Sequence, residues 1–141
     1  MKKYTAFVLL FTLALGAFAQ TKTTPKKEQD YYEIKTLPIP KEIYLEVGGL
    51  ATMPDGRLAV STRRGEIWIV ENPYQKSSHQ TYYRRFASGL HEVLGLAYKD
   101  GAFYCSQRGE LTKISDTDRD GVADLYEPIY QFDISGNYHE Y

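Results

Sequence analysis

The feature of the sequence that most limits its possible folds is a pattern that occurs twice. Gly-Leu-Ala stands at residues 49–51 and again at residues 95–97, which is 46 positions later. Arg-Gly-Glu stands at residues 64–66 and again at residues 108–110, which is 44 positions later. Short segments of alternating apolar and polar residues lie between these markers in both copies. Each copy therefore predicts three or four short β-strands.

The turns within each copy have the chemistry of β-hairpins. Asp55-Gly56 and Asp100-Gly101 are predicted to form two-residue hairpin loops, because aspartate and glycine tolerate the positive φ that such loops need. The Arg-Gly pairs of the two copies predict a second turn before a further alternating strand. The alternative is a small meander or sandwich in which two hairpins are alike by chance.

The spacing of the two copies is that of β-propeller blades, which repeat every 40 to 50 residues or so. We therefore expect an all-β fold that comprises the first two blades and the start of a third of a β-propeller, with six blades in the complete ring. Blade one is expected at about residues 45–90 and blade two at about residues 91–135, within a partial propeller over residues 31–141. A chain of 141 residues is too short to close such a ring, so the propeller is expected to be incomplete.

The N-terminus has the layout of a secretory signal. Two lysines near the start are followed by an apolar run and by a small-x-small tripeptide at residues 17–19, which is typical of a cleavage site. We predict a signal peptide at residues 1–19, a disordered leader at residues 20–30, and export to the periplasm or the extracellular space. An uncleaved anchor is the alternative, but the apolar run is shorter than the roughly 20 residues of a membrane span. No transmembrane segment is therefore expected in this chain.

A run of acidic residues after the second copy has the spacing of a twelve-residue calcium loop. The expected ligands are Asp116, Asp118, Asp120, Val122 through its carbonyl, Asp124 through a water molecule, and Glu127 through a bidentate carboxylate. Because Pro128 follows at once, a regular exiting helix is blocked, and the loop is predicted to lie between two strands and not in an EF-hand. Its Ca²⁺ would be structural. A solvated acidic turn is the alternative.

Three other residues could take part in chemistry. His91 and His139 are each followed by glutamate, and His91 precedes an inner strand, where the loops of a propeller face its central channel. A histidine there can act as a general base, and a structural hydrogen bond is the alternative for each. Cys105 is the only cysteine and is predicted to be a buried core residue, with a reactive thiol as the alternative. The net charge of −1 predicts no nucleic-acid partner.

The first copy also resembles a known family. Residues 47–65 look like the first blade of the soluble quinoprotein glucose and sorbosone dehydrogenases, and residues 93–98 are similar to a Leu-Leu-Gly-x-Ala-Phe segment of their second blade. The resemblance is closer still to the propellers of large secreted, membrane-associated dehydrogenases that often carry a C-terminal haem domain. It implies pyrroloquinoline quinone as cofactor, His139 as the base that removes a substrate hydroxyl proton, and His91 as a residue that faces the cofactor.

The resemblance implies that the complete protein oxidises a sugar or another alcohol. In the family, the basic residues that clamp the quinone and the calcium that bridges it belong to later blades, so that calcium site is not the acidic loop. The chain would need the remainder of the propeller or a haem domain, and it is expected to be inactive alone. Two other functions remain open: a non-catalytic propeller that binds a ligand or a protein, and a calcium-dependent hydrolase of the lactonase type.

Overall fold

The computed structural model describes residues 25–74 and 80–133. The chain divides into two units, Met1–Ile34 and Lys35–Tyr141. The described part of the first unit contains one 3₁₀ turn at Glu28–Asp30, and its residues are exposed. This turn is the one helical segment in the described ranges, so no helix there has the length and apolar character that a membrane span requires. The predicted signal peptide lies outside the described residues.

The second unit contains two four-stranded antiparallel sheets, and in each sheet the strands follow one another in chain order. The first sheet comprises β1 (Val47–Thr52), β2 (Leu58–Thr62), β3 (Ile67–Glu71) and β4 (Tyr82–Ala87). The second sheet comprises β5 (Gly95–Lys99), β6 (Ala102–Ser106), β7 (Glu110–Ser115) and β8 (Leu125–Gln131). The all-β class expected from the sequence is confirmed for the described residues, with one four-stranded meander for each copy of the repeat.

The Asp-Gly turns of the two sheets differ in length. In the second sheet, Asp100 and Gly101 have φ values of 51° and 82° and form the predicted two-residue loop. In the Asp-Gly turn of the first sheet, Gly56 has φ of 87° and Asp55 is not left-handed, and the amide of Gly56 donates to the carbonyl of Met53 at 2.9 Å. The two-residue loop predicted there is wrong, because Pro54 holds a negative φ and a type I turn ends on the left-handed glycine instead.

The two sheets pack face to face, and the hydrophobic core lies between them. Its buried members come from both sheets and from the segments that join their strands: Ala51, Met53, Ala59, Ile67, Ile69, Phe86, Ala87, Leu90, Val93, Phe103, Cys105 and Ile114. The ring of Phe103 is 1% exposed, with its centroid 5.0 Å from that of Phe86 in the first sheet and 4.8 Å from that of Tyr98 in the second. Phe103 therefore joins the two sheets through aromatic contacts.

Cys105 lies within this core, as the alternation of its strand predicts. Its side chain is fully buried. Burial is the main cause that raises the pKa of the Cys105 thiol to about 12, and the charge of Glu110 adds to it. Since the thiolate is the reactive form of cysteine, this residue is an inert part of the core at neutral pH.

The backbones of β1 and β5 come too close to leave room for side chains at two positions. A Cβ atom on Gly48 would lie 1.8 Å from the carbonyl oxygen of Val93, and one on Gly49 would lie 2.7 Å from the amide nitrogen of Leu96. By contrast, a Cβ atom on Gly95 would meet nothing closer than 3.7 Å. The first strand of the first sheet therefore needs glycine because another backbone approaches it closely.

The acidic run connects β7 to β8, so the structure confirms that it lies between two strands. β8 is the outer strand of its sheet, and Pro128 lies in its middle. Proline has no N–H group to donate to a further strand, and it is therefore tolerated at a sheet edge but rarely inside a sheet.

Candidate functional site

Three of the six predicted calcium ligands come together in the loop between β7 and β8. Carboxylate oxygens of Asp116, Asp118 and Asp120 all lie within 4.8 Å of one another. Asp116 is half-buried, whereas the other two are exposed. Carboxylate oxygens are the ligands that Ca²⁺ prefers, so these three residues are of the right chemical type to hold the ion.

Backbone amides of the loop hold these carboxylates in place. The amide of Gly121 donates to Asp116 at 2.8 Å, and the amide of Val122 donates to Asp120 at 2.7 Å. Gly121 has φ of 93°, which is the left-handed conformation expected at the sharp turn of such a loop. The local sequence thus folds the chain around the three carboxylates.

The remaining side-chain ligands predicted from the sequence have other partners. Asp124 accepts hydrogen bonds from the amide of Thr117 at 2.8 Å and from its hydroxyl, and these bonds lower the pKa of the Asp124 carboxyl. Glu127 lies on β8, where its carboxylate is 2.8 Å from the ammonium group of Lys113 on β7 and raises the pKa of that group. Neither Asp124 nor Glu127 belongs to the group of carboxylates that lie within 4.8 Å of one another, and their role as calcium ligands stays a prediction.

The first sheet contacts this loop through β4. Arg84 donates a hydrogen bond to the carbonyl of Gly121, and the amide of Ala123 donates to the carbonyl of Phe86 at 2.8 Å. Arg84 pairs with Ile69 across the strands and thus shares the face of the sheet that carries the core. No sequence motif marks Arg84, because its importance depends on which face of β4 it occupies.

A cleft of about 600 Å³ lies beside the loop, between the two sheets. Its lining combines apolar and charged side chains, among them Met53, Ile69, Phe103, Arg57, Arg84 and Asp116. The Arg57 guanidinium hydrogen-bonds Asp55 at 2.8 Å, which lowers the pKa of that carboxyl, and it lies 3.4 Å from Glu71. The positive charge that Arg57 brings to the cleft is therefore balanced by neighbouring carboxylates.

His91 lies at the opposite end of the second sheet, just before β5. Its imidazole is exposed and forms no hydrogen bond with the residues that the structure describes. Its backbone is held on both sides: its amide donates to the Gln107 side chain at 2.5 Å, and its carbonyl accepts from the amide of Arg108 at 3.1 Å. His91 therefore presents an exposed imidazole from a fixed backbone position.

The residue after His91 has an uncommon backbone conformation. Glu92 has φ of 48°, which is rare for a residue with a long side chain. Its carboxylate lies 3.9 Å from Arg63 of the first sheet and 3.8 Å from Arg108 of the second. These contacts link the turns of both sheets to the segment that joins them. The other histidine predicted to act in catalysis, His139, lies outside the described residues.

Comparisons of the chain with protein-family models, with curated proteins and with solved structures find no match.

Proposed function

We propose that the chain forms the first two blades, and the entry to a third, of an exported β-propeller. Propeller blades are four-stranded antiparallel meanders arranged around a central channel. The observation that supports this arrangement is the contact between β1 and β5. These two strands are the first strands of their sheets and carry the same Gly-Leu-Ala segment. They lie side by side, as the inner strands of neighbouring blades would.

For the complete propeller we propose the oxidation of a sugar or another alcohol, with pyrroloquinoline quinone as the hydride acceptor. This chemistry comes from the resemblance of the repeat to the quinoprotein dehydrogenases. His139 is the proposed base for the substrate hydroxyl, and His91 is proposed to face the cofactor. The basic residues that would clamp the quinone are expected in later blades of the complete propeller.

The proposal is tested on the longest in-frame product of the gene. With pyrroloquinoline quinone and Ca²⁺, we expect aldoses or primary alcohols to reduce a dye acceptor. Replacing the base in the variant His139→Gln should lower kcat about 100-fold or more, because general-base catalysis contributes at least that much. Quinone binding, followed by its absorbance, should persist in this variant. The 141-residue chain should show no turnover under the same conditions.

Two results would favour the other functions. Calcium-dependent hydrolysis of lactones without quinone binding would indicate a hydrolase propeller. A folded full-length protein that binds no quinone and turns over neither substrate class would indicate a binding propeller. The exposed imidazole of His91, which forms no hydrogen bond with a described residue, is compatible with a recognition surface as well as with a cofactor site.

We also propose a structural Ca²⁺ in the acidic loop, held by Asp116, Asp118 and Asp120. An ion that binds only the folded chain should raise the free energy of unfolding by about 2.7 kcal/mol at a hundredfold excess over Kd. The measurement is urea unfolding with Ca²⁺ and with a chelator. The variant Asp120→Asn should lose most of this difference.

Two further variants make the calcium experiment specific. Asp100→Asn removes one carboxylate from a turn outside the loop, where asparagine also tolerates the positive φ, and it should keep the full calcium response. Glu127→Gln should also keep it, because Glu127 is paired with Lys113. An equal midpoint with and without Ca²⁺ in the natural chain would contradict the calcium proposal.

A further inference from the structure

The glutamate of the repeated Arg-Gly-Glu motif is Glu66 in the first sheet and Glu110 in the second, and its charged surroundings differ between the two. The carboxylate of Glu66 accepts a hydrogen bond from the indole N–H of Trp68 at 2.9 Å. It also lies 3.3 Å from the guanidinium group of Arg85 on β4. The charge of Glu66 is therefore balanced within its own sheet.

The charge of Glu110 has no such balance. Its carboxylate accepts hydrogen bonds from two neutral groups, the side-chain amide of Gln107 at 3.1 Å and the hydroxyl of Thr112 at 2.6 Å. In the part of the chain that the structure describes, no lysine, arginine or histidine side chain forms a salt bridge with it. Glu110 is also half-buried, and a carboxylate that has lost part of its hydration is stabilised by a nearby cation.

The strand register shows which residue stands in the place of Arg85. In the first sheet Arg85 pairs with Trp68, next to a shift in register that follows Ile67. In the second sheet Pro128 pairs with Thr112, next to a shift at the same position of the repeat. Thr112 still donates a hydrogen bond to the glutamate, but proline has no charge. The second copy therefore has the carboxylate without its cation.

The carboxylate lines a pocket instead. The pocket has a volume of about 410 Å³, which is large enough for a small ligand, and it is lined by His91, Gln107, Gly109, Glu110, Gln131 and Phe132. The amide of Phe132 donates to the carbonyl of Gly109 at 2.9 Å, which fixes the aromatic residue beside the turn. Guanidinium groups stack on aromatic rings and donate two parallel hydrogen bonds to a carboxylate.

We propose that this pocket binds a guanidinium group of a ligand, which takes the place that the Arg85 side chain has beside Glu66. The carboxylate of Glu110 accepts hydrogen bonds from the guanidinium, and the ring of Phe132 covers one face of its plane. Small alkylguanidinium compounds and arginine side chains of peptides both carry this group. The site goes beyond the function proposed above, because it requires neither quinone nor an alcohol substrate.

The test is a titration of the full chain with methylguanidinium chloride at constant ionic strength, followed by NMR. The side-chain amide of Gln107 donates to Glu110, so its signals should shift and reach saturation. Glu110→Gln keeps the shape of the side chain and removes its charge. The apparent Kd should then rise about tenfold or more, because hydrogen bonds to charged groups are among the strongest in proteins. Methylammonium should bind the natural chain more weakly, since it lacks the planar pair of N–H groups.

A second variant supplies the cation from within the chain. In Pro128→Arg the new side chain stands opposite Thr112, as Arg85 stands opposite Trp68. It should fill the site, so that methylguanidinium no longer binds. The matched control is Glu66→Gln, which removes the other glutamate of the motif. Because Glu66 already has Arg85 as its partner, this control should leave the titration unchanged.

A further titration identifies the source of the group. If N-acetylarginine amide binds more tightly than methylguanidinium, the ligand is an arginine side chain of a peptide; otherwise it is a small guanidinium compound. Four results would overturn the proposal: no saturable shift in the natural chain, undiminished binding by Glu110→Gln, undiminished binding by a folded Pro128→Arg, or tighter binding of methylammonium. None of these measurements involves quinone, so a failed dehydrogenase assay would leave the result unaffected.

Discussion

Replacing Gly48 with alanine should destabilise the chain by about 3 kcal/mol, the upper part of the range for overpacked sites. The added Cβ atom would lie 1.8 Å from the carbonyl oxygen of Val93 and 2.9 Å from its carbonyl carbon. Both atoms belong to the backbone of a sheet, so no side chain can rotate away to make room. We expect the two sheets to separate locally, and the loss should appear in urea unfolding followed by circular dichroism.

The matched control for this variant is Gly95→Ala in the second copy. A Cβ atom there would be 3.7 Å from its nearest neighbour, the Cβ of Ser106, which is an ordinary contact. Since Gly95 also lies in the first strand of its sheet, both variants exchange the same residue types in the same kind of element. Equal stability of Gly48→Ala and Gly95→Ala would refute the close approach of β1 to β5.

Replacing Phe103 with alanine should have an effect of similar or greater size, about 3 to 5 kcal/mol. The change removes a ring that is 1% exposed and that contacts Phe86 across the interface between the sheets. The substitution would leave a cavity between the two sheets, and their backbones cannot move together enough to fill it. Urea unfolding gives the free energy, and binding of an apolar dye would show whether the core becomes accessible to solvent.

The adjacent Tyr104 serves as the control for Phe103. It lies on the same strand but points to the opposite face of the second sheet, where it is half-buried. Tyr104→Ala should therefore cost less than half as much as Phe103→Ala. A reversed order of the two variants would mean that the core does not lie between the sheets.

The repeat made much of the fold predictable from the sequence. Because the same turn residues recur at one spacing, the segments between them are predicted to be strands even where their residues have low strand propensity. The Asp100-Gly101 loop is predictable from the tolerance of aspartate and glycine for positive φ. The longer turn at Gly56 is harder to predict, because it depends on the negative φ of Pro54 together with the backbone conformation of the residues that follow it. The segment that forms β4 shows no clear alternation, because a strand near the sheet edge need not bury every second residue.

The candidate calcium loop was only partly predictable, for a physical reason. Spacing identified Asp116, Asp118 and Asp120, whose positions are set by the loop's own backbone. It could not foresee that Glu127 would fall on β8 opposite Lys113, because that pairing depends on where the strand resumes. Arg84 was missed for the same reason: its contact with the loop arises from packing of one sheet on the other and has no local sequence signal.

The position of Pro128 has a consequence for how the protein avoids wrong assemblies. Exposed outer strands offer unpaired N–H groups and can recruit strands of other molecules into aggregates. On the outer strand of the second sheet, proline lacks one of these donors, and on the outer strand of the first sheet Arg84 and Arg85 place one charged side chain on each face. Growth of either sheet beyond its outer strand, β4 or β8, is thus discouraged.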